Sequence, residues 1–199
     1  MISPVTAERR TKETSVHCEL NVYGTRKAEI NTGIGFFDHM LTLLTYFAGF
    51  DLIVDADGDL DVDNHHTVED IGIVLGKALA KALDDRKGVA RYGTAYIPMD
   101  ESLTRVVLDV GGRGVLHFKA PAFKERVGQF ETECLNEFLY AFAIQSGTTL
   151  HAEVLYGENT HHMIEGLFKA LGKALEIALT PIDSNIVFST KGDPELKEE

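Results

Sequence analysis

Apolar residues recur along the chain with two periods, near 2 and near 3.6, and the change between them marks out the elements. Residues 14–22 (TSVHCELNV) alternate and predict a strand. Residues 27–32 predict a second, short strand. Over 35–48 the apolar positions Phe36, Phe37, Met40, Leu41, Leu44 and Phe47 fall at helical spacing. Residues 51–56 predict a strand and 64–83 a long helix. In the second half the pattern predicts strands over 96–99, 103–110 and 115–119, then a helix over 130–145. A strand over 148–155 and a helix over 160–179 follow. Each half therefore reads roughly β-β-β-α-β-α.

That likeness extends to the residues themselves. HHTVEDIGIVLGKAL begins at His65, and HHMIEGLFKALGKAL begins at His161, 96 residues later. The paired His, the Glu four positions on and the GKAL ending all recur, which identifies an internal repeat. The expected fold class is α+β, a tandem duplication of the β-β-β-α-β-α half. The helices of the two halves should form a four-helix layer between two sheets, because that arrangement buries the most apolar area. We expect residues 1–91 to form the first repeat, 92–180 the second, and 181–199 a C-terminal segment with a charged, mobile tail. All belong to one integrated domain.

Composition narrows the function. Of 199 residues, 44% are hydrophobic and 25% charged, which suits a globular chain. The net charge of −12 argues against a nucleic-acid or anionic-membrane partner, since both need a basic surface. Residues 33–54 are interrupted by Asp38, His39, Thr42, Thr45 and Asp51 and are too polar to span a bilayer. No apolar leader is visible at the N-terminus, so the cytoplasm is the expected location. Cys18 and Cys134 form no CxxC pair, which argues against a disulfide framework or a thiolate zinc site.

The repeated HHxxE carries the chemistry. On a helix His65 and Glu69 share a face, and His66 and Glu69 are near neighbours. Adjacent His65 and His66 point in different directions and cannot easily chelate one ion together. The same holds for His161, His162 and Glu165. One copy is an incomplete site and would more often be a solvated surface feature. Two copies in register favour metal binding and supply ligands for two sites. HExxH is absent, which argues against an ordinary zinc protease. Imidazole with carboxylate suits Mn²⁺, Fe²⁺ or Zn²⁺, and carboxylate-rich sets lean towards Mn²⁺. His39 and, 98 residues later, Glu137 place a metal-competent side chain on otherwise apolar helices. His17, His117 and His151 lie in alternating strands and read as structural. Arg91, Arg113 beside Gly111 and Gly112, Lys169, Ser189 and Lys191 suit a phosphate, although scattered surface charge fits them equally.

At these residues the chain resembles the imidazoleglycerol-phosphate dehydratase family. The segments that carry the resemblance are RTKET from Arg10, GIGFFDHML, DNHHTVEDIGIVLGKAL, RYG at Arg91, PMDE at Pro98, GGR at Gly111, ENTHHMIEGLFKAL and STKG at Ser189. The resemblance implies two duplicated α+β halves of the ribosomal protein S5 domain 2-like kind. It also implies two Mn²⁺ per active site, no organic cofactor, and a homo-oligomer of 24 subunits with sites at subunit boundaries. One ion would be held by His39, His66, His161 and Glu165, the other by His65, Glu69, Glu137 and His162. Glu13 would be the substrate-contacting acid or base, and Arg91, Arg113, Lys169, Ser189 and Lys191 the phosphate set. Many members carry His where this chain has Glu137, and a further His where it has Phe47. The implied reaction is a hydro-lyase step of histidine biosynthesis, from imidazoleglycerol phosphate to imidazole acetol phosphate. The metals would stabilise the ring as an imidazolate, whose electrons expel the hydroxyl while Glu13 shuttles protons. Two competing readings are a dinuclear metallohydrolase of a phosphate ester and a non-catalytic metal-binding oligomer.

Overall fold

A computed structural model describes residues 4–183. The first half runs β1 (Val5–Arg10), β2 (Thr14–Asn21), β3 (Ala28–Asn31), α1 (Gly35–Ala48), β4 (Asp51–Gly58) and α2 (His65–Leu83). The second half begins β5 (Tyr92–Met99), β6 (Ser102–Asp109) and β7 (Val115–Lys119). A small hairpin follows, β8 (Arg126–Val127) and β9 (Phe130–Glu131), then α3 (Cys134–Ser146), β10 (Thr149–Tyr156) and α4 (Thr160–Ala178). The strands form two four-stranded sheets with orders β1-β2-β4-β3 and β5-β6-β10-β7. In each sheet only the last pair is parallel, β3 with β4 and β7 with β10. The duplicated α+β fold expected from the repeat is therefore present, with the hairpin as an insertion in the second half.

Alternation explains which sheet face is covered. In β2 the buried positions are Thr14, Val16, Cys18 and Leu20; in β6 they are Ser102, Thr104, Val106 and Leu108. Those faces receive the helices. α2 lies on β1, β2 and β4, and α4 lies on β5, β6 and β10. The helices then pair across the halves, α1 with α4 and α3 with α2.

The glycine of each GKAL repeat makes this pairing close. A Cβ at Gly76 would stand 2.8 Å from the Phe142 carbonyl oxygen and 3.0 Å from the Ser146 nitrogen. A Cβ at Gly172 would stand 2.7 Å from the Leu44 carbonyl oxygen and 3.1 Å from the Ala48 nitrogen. Neither half thus closes a core by itself. Phe37, Phe138 and Phe168, from three helices and both halves, meet with ring centroids 5.2 to 6.3 Å apart. Each such buried ring contributes roughly 1.5–3 kcal/mol.

Two differences from the sequence pattern have physical causes. β1 offers only Val5, Ala7 and Arg9 to the inner face, too weak an apolar signal for a strand. Its Arg9 instead bonds the buried Asp70 of α2 at 2.6 Å. The helix expected from residue 130 begins at Cys134, because Phe130 belongs to β9 and stacks on Phe37 at 5.6 Å.

The insertion laces the helix N-termini together. Glu131 exchanges hydrogen bonds with Asn64, just before α2, and the Lys124 N–H donates to Thr160, at the start of α4. Cys18 and Cys134 are free and buried, and burial pushes both thiols up to about 12. Among the described residues no helix is long and apolar enough to cross a membrane.

Candidate metal centre and active site

α1 and α4 run in the same direction, so the first turn of α1 meets the first turns of α4. This brings His39, His161 and Glu165 together, with one potential ligand atom from each lying within 4.8 Å of the others. His161 Nε2 donates to Glu165 Oε2 at 2.9 Å, and His39 Nε2 lies 3.4 Å from the same oxygen. The other carboxylate oxygen, Oε1, takes the Lys169 ammonium at 2.6 Å. Burial alone would raise the Glu165 carboxyl, but Lys169, His161 and His39 together hold it below the ordinary glutamate value. Phe36 packs edge-on against His161 at 5.0 Å and walls one side. Two imidazoles and an ionised carboxylate aimed at one point form a donor set that fits a divalent first-row metal.

α2 and α3 pair in the same way and carry His65, Glu69 and Glu137 at the corresponding positions. Their ligand atoms do not all converge within the same distance; His39, His161 and Glu165 are the one such group among the described residues. Glu137 accepts a hydrogen bond from Asn136 at 3.3 Å. The second His of each motif is engaged by a carboxylate outside these triples. His66 Nδ1 donates to Asp59 Oδ2 at 3.0 Å, and His162 Nδ1 donates to Glu101 Oε2 at 2.7 Å. These carboxylates raise both imidazoles above their ordinary pKa, Asp59 being the main cause at His66 and Glu101 at His162. The His162 bond is in turn the main cause that lowers Glu101, with the Asn159 N–H adding to it. Asp59 and Glu101 were not assigned from sequence, although Glu101 closes the quoted PMDE.

Glu13 stands in the turn between β1 and β2. Its backbone N–H donates to Thr11 Oγ1 at 3.0 Å, and its carboxylate has no hydrogen-bond partner among the described residues. Asp70 fixes the turn to α2 by bonding both Thr14 Oγ1 and Arg9. An open groove of about 520 Å³ runs beside it, lined by Arg10, Lys12, Glu13 and Asp59 among others.

The described members of the expected phosphate set, Arg91, Arg113 and Lys169, do not converge within one chain. Arg91, with a left-handed φ of 72°, turns under Gly111 of the GGR loop and forks onto Asp109 at 2.7 and 2.9 Å. Arg113, in the same loop, carries no side-chain partner among the described residues, and its carbonyl accepts from Thr149 at 3.0 Å. Lys169 lies against Met99, at the far end of β5 from Arg91. At about 3.3 Å per residue that separation is on the order of 25 Å. Ser189 and Lys191 lie outside the described residues.

Comparison with known proteins bears on the same residues. The family profile of imidazoleglycerol-phosphate dehydratase matches residues 32–175. A relative of that name from Caldanaerobacter subterraneus subsp. tengcongensis is 56% identical over 187 residues, covering 93% of this chain and 96% of the relative. Another, from Exiguobacterium sp., is 52% identical over 185 residues. The crystal structure of imidazoleglycerol-phosphate dehydratase from Staphylococcus aureus subsp. aureus N315 superposes with a TM-score of 0.81 at 44% identity, over 89% of this chain and all of that one. The enzyme from Pyrococcus furiosus, solved with (S)-C348, gives 0.81 at 37% identity over 93% of this chain and 98% of that one.

Proposed function

The chain belongs to the imidazoleglycerol-phosphate dehydratase family, and from that premise we propose how its own residues carry the reaction. The protein is a hydro-lyase that removes water from D-erythro-imidazoleglycerol phosphate to give imidazole acetol phosphate, a step of L-histidine biosynthesis. The metallohydrolase and storage readings lose their basis with this membership.

The observation that carries the proposed site is the convergence of His39, His161 and Glu165. We assign one Mn²⁺ to these three with His66, and a second to His65, Glu69 and Glu137 with His162. Neither His66 nor His162 joins the converging group of its own chain among the described residues, which supports their supply by a neighbouring copy in a homo-oligomer, of 24 subunits by family resemblance. Bound metal supplies Lewis acidity to the substrate's ring nitrogens. Lys169 holds Glu165 ionised and oriented, leaving Oε2 for the ion.

Glu13 carries the proton at its carboxylate. It is exposed, lines the groove and has no side-chain hydrogen bond among the described residues, as a group that must exchange protons requires. Arg113 and Arg91 at one end of β5 and Lys169 at the other would meet around one phosphate only where copies adjoin; by resemblance Ser189 and Lys191 belong to the same set. Charge-assisted donors of this kind fix a phosphate firmly.

Mixing separately inactive variants tests this directly. His66→Ala chains and His161→Ala chains, dissociated and reassembled together, should regain part of the wild-type dehydration rate. Mixed assemblies as inactive as either parent would contradict shared sites.

A further inference from the structure

The two halves place a carboxylate at the same point of their first hairpin. Glu13 is the residue immediately before β2, and Glu101 is the residue immediately before β6. The equivalence is one of place in the hairpin, since the two residues are 88 positions apart while the helix motifs are 96 apart. Yet the two side chains do different things. Glu101 accepts the Glu158 and Asn159 N–H groups at 3.1 and 2.8 Å and so ties its turn to the start of α4. Its other oxygen holds His162 Nδ1. Glu13 does neither.

The first half fills both tasks with other residues. Asp70 of α2 ties the β1–β2 turn to the helix through Thr14 and Arg9. Asp59, immediately after β4, holds His66 Nδ1. The second half lacks both. The position corresponding to Asp70, 96 residues on, is Gly166. The residue immediately after β10, corresponding to Asp59, is Gly157. A side chain there is blocked, because a Cβ at Gly157 would stand 2.4 Å from Ser102 Oγ and 2.6 Å from Met163 Cγ. In the second half the carboxylate for the imidazole therefore has to come from the hairpin.

We propose that Asp59 and Glu101 are positioning residues for His66 and His162, and that Asp59 together with Asp70 is what leaves Glu13 available for proton transfer. The chemistry is that of a carboxylate fixing an imidazole: a proton held on Nδ1 turns the Nε2 lone pair outward towards a metal. Loss of such a partner typically weakens metal binding about 10- to 100-fold. This inference rests on the reading of His66 and His162 as ligands.

The test is Mn²⁺ affinity of the metal-stripped assembly, read by electron paramagnetic resonance, with turnover measured separately at saturating Mn²⁺. Asp59→Asn and Glu101→Gln keep side-chain shape. Each should weaken Mn²⁺ binding about 10-fold or more and regain turnover as Mn²⁺ is raised. Glu13→Gln, at the position equivalent to Glu101, should bind Mn²⁺ as wild type and regain no turnover as Mn²⁺ is raised. Histidine ¹⁵N signals guard against a folding artefact: one Nδ1 resonance should shift in Asp59→Asn and a different one in Glu101→Gln. Wild-type affinity in Asp59→Asn and Glu101→Gln, or equal loss of metal in Glu13→Gln, overturns the inference. If His66→Ala and His162→Ala also bind Mn²⁺ as wild type, the ligand reading itself falls.

Discussion

Gly76 lies against the Phe142 carbonyl and Gly172 against the Leu44 carbonyl, so the two halves pack their partner helices through the same contact. One end of the helix layer is thus a faithful duplicate. At the other end the halves diverge. His161 and Glu165 converge with His39, whereas His65, Glu69 and Glu137 do not converge as tightly. The first half uses three carboxylates, Asp59, Asp70 and Glu13, where the second concentrates two of the tasks in Glu101. Packing constrains both copies equally, because an added Cβ would collide with backbone in either. The hairpin turns carry no such constraint, and there the copies have specialised.

The largest expected effect separates the specialised ends. Glu13→Gln should lower turnover by about 10²- to 10⁴-fold, the usual range for a lost general acid or base, with Mn²⁺ content unchanged by elemental analysis. Retained turnover would remove Glu13 from the chemistry.

The next effect tests the duplicated end. Gly76→Ala and Gly172→Ala should each destabilise the protein by about 1–3 kcal/mol, the cost of overpacking, and by similar amounts in denaturant titrations. A marked inequality would show that the two helix pairs are not mechanical equivalents.

The smallest effect lies on the outer sheet faces. His17 of β2 corresponds to Arg105 of β6, and both bridge strands through carboxylates, His17 to Glu8 and Glu19, Arg105 to Glu153. The Glu8 hydrogen bond, with that of Glu19, raises the His17 pKa. A raised folded-state value stabilises fully below the unfolded value, near 6.5, and the gain is lost as pH rises through the folded value. The difference in thermal midpoint between wild type and His17→Gln should therefore shrink from pH 5 to 8. That for Arg105→Gln should stay flat, since guanidinium does not titrate there. A pH-independent His17 difference would contradict the pairing.

Much of this was legible in the residues because it was written twice. The repeat from His65 and His161 disclosed the duplication, the shared helix layer and the ligand candidates, since two copies of one pattern outweigh chance. Local alternation and helical spacing located most of the strands and the four helices. What escaped depends on long-range approach. Glu101 meets His162 from 61 residues away, and no spacing rule predicts that. The Arg91–Asp109 pairing escaped as well, because it depends on a left-handed backbone at Arg91 and on the bare Gly111 beside it. β1 escaped because an inward Arg9 satisfied by Asp70 replaces an apolar residue. The early start assigned to α3 came from Phe130, an apolar residue that serves the inserted hairpin.

The central claim is that dehydration needs divalent metal held by these ligand sets. Metal-stripped protein should form no imidazole acetol phosphate, and Mn²⁺ titrated back should restore turnover that saturates at two ions per chain. Full turnover by the stripped protein, or none with any divalent metal, would contradict the account.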